Sequence, residues 1–107
     1  MSTRSFNPEK SAHLLEPVRE ILGNRWKVSI LQHLMNGPQM LLDLKQNIRY
    51  VSYRVLLEEL ADLEQLGILV RDNQSRLPME ATFSLTEKGR SLQIVFDSML
   101  QWGCVYL

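Results

Sequence analysis

Ser52-Tyr53-Arg54-Val55-Leu56-Leu57-Glu58-Glu59-Leu60-Ala61-Asp62-Leu63-Glu64-Gln65-Leu66-Gly67 carries a start signal, one apolar face and a stop signal. Ser52 can accept a hydrogen bond from a free backbone N–H of the first turn. Gly67 can take the left-handed conformation that closes a helix and that other residues avoid. Leu56, Leu60 and Leu63 recur at helical spacing, so they are expected to enter a core. Arg54, Glu58, Ala61 and Gln65 share the opposite face, with Tyr53 and Leu57 on its shoulder. The acids Glu58, Glu59, Asp62 and Glu64 read as a solvated helix face in preference to a cation site.

Downstream, Ile68-Leu69-Val70-Arg71 and Ala81-Thr82-Phe83-Ser84-Leu85 are rich in residues that fit strands. Between them Asp72-Asn73-Gln74-Ser75-Arg76-Leu77-Pro78 is polar and turn-prone, so the three pieces predict a β-hairpin with a loose tip. Upstream, a short helix is expected from about Met40 to Gln46, and Asn47-Ile48-Arg49-Tyr50-Val51 makes a tight turn into the long helix. Short helix, turn, longer helix and hairpin follow one another in the order of a winged helix-turn-helix. The fold class expected is therefore mainly α with a small β-hairpin wing, within one domain over residues 1–107. The helix-turn-helix is expected at about 40–66 and the wing at about 68–85.

The flanking segments add helices. Asn7-Pro8-Glu9 is a helix start, and Leu14, Leu15, Val18, Ile21 and Leu22 form an apolar stripe beyond it. Pro17 lies inside that stripe and either kinks one helix or begins a second. Trp26 to Met35 is the next helix, with Trp26, Ile30, Leu31, Leu34 and Met35 as core candidates and Asn36-Gly37-Pro38 as its stop. Thr86 can cap a last helix at about 87–104. Leu92, Val95, Phe96 and Met99 line one side of it, while Ile94, Leu100, Trp102, Val105 and Tyr106 spread apolar surface elsewhere. That spread is too wide for one face on a small core, which points to the terminal helices as a dimer interface.

Composition narrows the function. With 45% hydrophobic and 22% charged residues in a chain of 107, one ordinary globular core is affordable. No apolar run approaches the ~20 residues of a membrane span, and the first residues lack the apolar centre of a signal peptide. The single cysteine, Cys104, rules out an internal disulfide, fits a reducing cytoplasm and reads as a small buried residue. His13 and His33 stand alone, so no zinc-site spacing arises, and His33 reads as partly buried. Neither a Gly-rich phosphate loop nor a Ser/His/Asp set is present. The formal net charge is zero, which argues against nucleic-acid binding, yet Arg25, Lys27, Lys45, Arg49 and Arg54 stand against Asp43 alone between residues 25 and 57. Such a local excess can meet phosphate in a neutral molecule.

In this order the pieces resemble the HxlR family of bacterial and archaeal winged-helix transcriptional regulators, from about Pro17 to Gly103. Gly23-Asn24-Arg25-Trp26-Lys27 looks like the family's Gly-Gly-Lys-Trp at the start of the second helix. Gly37-Pro38, Val51-Ser52-Tyr53-Arg54-Val55-Leu56 and Leu60-Ala61-Asp62-Leu63-Glu64-Gln65-Leu66-Gly67-Ile68-Leu69-Val70-Arg71 follow. Pro78, Phe83-Ser84-Leu85-Thr86-Glu87-Lys88-Gly89 and Gln101-Trp102-Gly103 complete the set. The resemblance implies a homodimer built on the terminal helices, a roughly palindromic operator, no enzyme activity, no obligatory metal and no cofactor. It puts Ser52, Tyr53, Arg54 and Leu57 at the major groove and the Gln74–Leu77 tip near the neighbouring phosphates. Some members sense oxidants or electrophiles through a cysteine just before the proline of the first helix. Here that position is Glu16, so the mechanism does not carry over. Met40 stands where the family has an arginine, Leu42 and Leu57 where small polar residues are usual, and Glu80 in place of a basic wing residue.

The expected function is sequence-specific binding of double-stranded DNA by a homodimer in the cytoplasm, regulating transcription, with repression ahead of activation. Arg54 can bond bidentately to guanine, Tyr53 can reach a base or a phosphate, and Leu57 can meet a thymine methyl. Lys45, Arg49, Arg71 and Arg76 are phosphate candidates, joined by Arg25 and Lys27 if the fold brings them near. For each, a plain solvated charge is the bland alternative. A reading from another class is a winged-helix interaction module that has weakened or lost DNA binding, with Met40, Leu42 and Leu57 as an apolar patch for a protein partner. A small-molecule effector is a further possible partner: Trp26, Trp102, Phe96 and Tyr106 could line a pocket at the dimer seam, or be plain core.

Overall fold

Capping side chains set where four of the helices begin. The computed structural model describes residues 7–72 and 76–107. Asn7 Oδ1 accepts from the N–H groups of Glu9 and Lys10 at 3.0 and 3.4 Å and starts α1, Pro8–Leu22. Pro17 lies within this single helix. No residue of α1 is buried, so water can reach the carbonyl that the missing N–H leaves without a partner. Asn24 Oδ1 accepts from Trp26 and Lys27 at 2.9 and 3.0 Å and starts α2, Arg25–Met35. Ser52 Oγ accepts from the Val55 N–H at 3.1 Å and starts α4, Tyr53–Gln65. Gly67, at φ +75°, closes that helix.

Between α2 and α4 lie a two-residue strand β1, Gln39–Met40, and α3, Leu41–Asn47. Strand β2, Leu69–Asp72, pairs antiparallel with β3, Thr82–Leu85, with Leu69 opposite Leu85. A single 3₁₀ turn, Pro78–Glu80, precedes β3. Of the expected wing tip, Gln74 and Ser75 lie outside the described residues. The sheet order is β1-β3-β2, with Met40 opposite Thr82. Strand β1 had no signal in the sequence, because two residues carry no alternation. It forms because β3 has a second edge to satisfy, and the Leu41 N–H bonds the Ala81 carbonyl at 2.8 Å just beyond it.

The expected last helix is two helices, α5 at Glu87–Arg90 and α6 at Gln93–Tyr106. Thr86 stitches α5 to the end of α4. Its Oγ1 accepts from the Gly89 N–H at 3.1 Å and donates to the Gly67 carbonyl at 2.6 Å. Lys88 Nζ donates to the Leu66 carbonyl at 2.7 Å. A Cβ on Gly89 would stand 2.1 Å from the Ile68 carbonyl oxygen, so only glycine allows α5 to sit this close. The chain then tightens at Leu92, whose N–H bonds back three residues to Gly89 at 3.1 Å.

One core joins these elements. Ile30, Leu31 and Leu34 from α2, Leu41 and Leu44 from α3, and Leu56, Leu60 and Leu63 from α4 are buried with Leu69, Phe83 and Phe96. Trp26 and Met35 are only half-buried at its margin. Much apolar surface stays outside it. Leu14, Leu15 and Val18 of α1 and Ile94, Leu100, Trp102, Val105 and Tyr106 of α6 are all exposed.

Candidate nucleic-acid interface

Ile48 and Val51 are both buried and pull the turn between α3 and α4 into the core. Arg49 and Tyr50, between them, are left exposed. The first turn of α4 follows at once. Its inward face is occupied by Leu56, so Ser52, Tyr53 and Arg54 are free to face outward, and all three are exposed. Arg54 is held loosely. Its Nε donates to Glu58 Oε1 at 3.1 Å, one turn on, with 88% of the arginine side chain exposed. An exposed pair of this spacing contributes only ~0.3–0.5 kcal/mol, so the guanidinium can exchange it for a better acceptor. Leu57 is half-buried against the core and offers only part of its side chain.

The flanking cations are more scattered. Lys45 is half-buried in the last turn of α3, and Arg49 is exposed just beyond that helix. On the wing, Arg71 is exposed with its guanidinium 5.8 Å from the centroid of the Phe83 ring. Arg76 is exposed on the far side of the tip. Arg25 lies over the Trp26 ring at 5.0 Å.

Lys27 is not among them. Its Nζ donates to Glu59 Oε1 at 2.8 Å and to Asp62 Oδ2 at 3.2 Å, and both Lys27 and Glu59 are buried. Burial acts to lower the Lys27 pKa, but the hydrogen bonds and charges of Glu59 and Asp62 outweigh it and hold the ammonium above the ordinary lysine value. Two expectations fail here together: Lys27 as a phosphate candidate, and Glu59 as part of a solvated acidic face. The missed signal was positional. Lys27 stands three, four and seven residues before Ile30, Leu31 and Leu34, and Glu59 falls between Leu56 and Leu63 at the same spacings. Opposite charges set in two facing apolar stripes foretell a buried pair.

One other expectation is corrected: Cys104 is exposed, not buried. Within one protomer the four aromatics expected at a dimer seam are not gathered together. Trp102 and Tyr106 pack on each other at 5.5 Å, Phe96 is buried in the core, and Trp26 is at the margin of α2. Met40 and Leu42 are 36% and 37% exposed and Leu57 less, so the apolar patch they could form is small. Among the described residues, no helix is long and apolar enough to cross a membrane.

A profile of the HxlR-like helix-turn-helix family matches residues 21–107. Among known relatives, the HTH-type transcriptional regulator YodB of Bacillus subtilis is 36% identical over 89 residues, covering 83% of this chain and 80% of YodB. YkvN of the same organism, also named an HTH-type transcriptional regulator, is 34% identical over 91 residues, 85% of this chain and 77% of YkvN. The crystal structure of quinone-bound YodB superposes with a TM-score of 0.78 at 34% identity, over 86% of this chain and 96% of that one. A MarR-family regulator from Porphyromonas gingivalis W83 superposes at 0.79 with 21% identity, over 97% and 100% of the chains, a likeness of fold alone. These relatives regulate transcription and are not enzymes.

Proposed function

The chain belongs to the HxlR-like helix-turn-helix family of DNA-binding transcriptional regulators, and we propose that it acts as a cytoplasmic homodimeric repressor on a roughly palindromic operator. The observation that carries this reading is the first turn of α4. It is capped by Ser52, anchored from behind by Leu56 and Val51, and displays Tyr53 and Arg54 to solvent. A helix start held this way can enter a major groove with its polar side chains leading. Arg54 then reads guanine, Tyr53 a base or phosphate, and Leu57 supplies a limited apolar contact to a thymine methyl. Ser52 adds its hydroxyl beside the backbone. Lys45, Arg49, Arg71 and Arg76 hold phosphates on either side.

The dimer is supported by unpaired apolar surface at both ends of the chain. Trp102, Val105 and Tyr106 of α6 are 58%, 67% and 70% exposed, and Leu14 and Leu15 of α1 are 64% and 57%. A second copy laid across α1 and α6 removes this surface from water and sets two α4 helices in a two-fold arrangement. Repression then needs nothing beyond occupancy of a promoter. The proposal includes a small apolar effector. An apolar cleft of about 270 Å³, lined by Pro17, Val18, Ile21, Leu66, Ile68 and Leu92, lies between α1 and the end of α4 with Lys88 on its lining, and the relative YodB has been seen with a quinone bound. That volume suits a molecule of one or two rings.

Selection of bound sequences from a random duplex pool at low salt tests the reading. Enrichment of one motif repeated with inverted symmetry is expected. A pool that stays random, with the folded protein present, refutes it.

A further inference from the structure

Tyr50 is the one non-glycine residue with positive φ, +68°, among the described residues. In this left-handed region the Cβ of an ordinary residue crowds its own carbonyl, and a bulky side chain without a polar atom near the backbone gains nothing in return. Folding does not repay the strain. The Tyr50 side chain is 92% exposed, while Ile48 and Val51 on either side are 5% and 3% exposed and anchor the turn by themselves. Glycine or asparagine would close the same turn at lower cost. A strained position kept by an aromatic that buries nothing points to a role outside the fold.

Its place defines that role. Tyr50 lies between exposed Arg49 and the Ser52 cap, three residues ahead of the helix turn that carries Tyr53 and Arg54. The anchored turn fixes the backbone, and a tyrosine has only two side-chain torsions left to order. We propose that Tyr50 is a DNA-backbone contact whose hydroxyl donates a hydrogen bond to a phosphate oxygen beside the bases faced by α4. This rests on the DNA-binding reading above and adds a residue to it. Tyrosine is a suitable donor to phosphate oxygen, and a neutral donor displaces no counterion.

The test compares Tyr50→Gly and Tyr50→Phe with the native dimer, by duplex titration at several salt concentrations and by urea unfolding at one protein concentration. Tyr50→Gly should raise the folding equilibrium constant about fivefold, the relief of ~1 kcal/mol of left-handed strain. It should weaken binding about tenfold on operator and unrelated duplex alike. The salt slope and the base preferences should stay as they are. Tyr50→Phe should keep native stability and show most of the same loss, because it keeps ring and backbone but not the hydroxyl. Native affinity in either variant overturns the contact. So does a fall in salt slope, which would assign the loss to a displaced Arg49, or a Tyr50→Gly protein less stable than the native one. Should the native dimer itself bind no duplex, the functional reading fails first and the contact with it. Native binding that is indifferent to Tyr50 overturns the contact alone.

Discussion

Glu59→Ala should destabilise the fold far more than its place in an acid-rich helix suggests. Lys27 Nζ lies 2.8 Å from Glu59 and 3.2 Å from Asp62, with the Lys27 and Glu59 side chains 9% and 11% exposed and that of Asp62 58%. Truncating Glu59 leaves the ammonium buried with one partner that is mostly in water. Breaking a buried pair costs ~3–5 kcal/mol, and the remaining Asp62 contact brings the expected loss to ~2–3 kcal/mol. Asp62→Ala, at the exposed end, should cost at most ~1 kcal/mol. Replacing both buried charges by apolar residues of similar volume, Lys27→Met with Glu59→Leu, removes the desolvation penalty as well as the attraction. That double variant should lie within ~1 kcal/mol of the native protein or above it. Urea unfolding at one protein concentration reads all three beside the native protein, since a dimer's stability depends on concentration. The pH dependence has a fixed sign. The Lys27 pKa is raised on folding, so its contribution is complete below the unfolded lysine value of ~10.4 and is lost as pH rises through the higher folded value. Lys27 therefore adds no pH dependence to stability between pH ~6 and ~9. A Glu59→Ala cost under ~0.5 kcal/mol, as for an ordinary surface residue, refutes the reasoning. So does a double variant as unstable as the sum of its single changes.

Arg54→Ala should leave folding within ~0.5 kcal/mol but cost ~1–3 kcal/mol of operator binding and relax preference at one position per half-site, read by duplex titration. Arg76→Ala should weaken binding to all sequences and lower the salt slope by ~1 for each copy at the DNA, with half-sites spaced by ~34 Å. Trp102→Glu with Val105→Glu should give a folded monomer by sedimentation that no longer binds the operator tightly, because both side chains are exposed within one protomer. Gly89→Ala should destabilise by ~2–3 kcal/mol in the same urea assay, as its methyl meets the Ile68 carbonyl.

The sequence is most informative where a residue's role is local. Asn7 and Ser52 act through bonds to their own chain neighbours, and each caps the helix that follows it, as Thr86 does for α5. The spacing of Leu56, Leu60 and Leu63 needs only helical geometry to be read. Roles decided by a distant partner are harder to read. Strand β1 exists because β3 offers it an edge, and Gly89 is required by a carbonyl about twenty residues back in the chain. Lys27 and Glu59 stand 32 residues apart, and either alone looks like a surface charge. Their positions inside apolar stripes held the information, but only when read as a pair. Tyr50 shows a different limit: propensity predicts a turn there and says nothing of which residue takes the left-handed conformation.

The same rearrangement of charge explains how a chain of zero net charge can serve a polyanion. Lys27 is held by Glu59 and Asp62 and does not count toward phosphate. On the proposed reading, Lys45, Arg49, Arg71 and Arg76 are the phosphate candidates of each half-site, and Arg54 would exchange its weak contact with Glu58 for a base. If these four cations act in each of two protomers, at about 0.9 counterions released per phosphate, they give a salt slope of about −7. A slope of that size is ordinary for a DNA-binding protein, so general affinity for DNA would remain and fall with salt. Preference among sequences would then rest on the first turn of α4, with neutral donors such as Ser52 and Tyr50 adding contacts that release no counterion. The phosphate cations and Tyr50 would strengthen binding to every duplex alike, so selectivity would come from Arg54 and the other side chains of α4 that face bases.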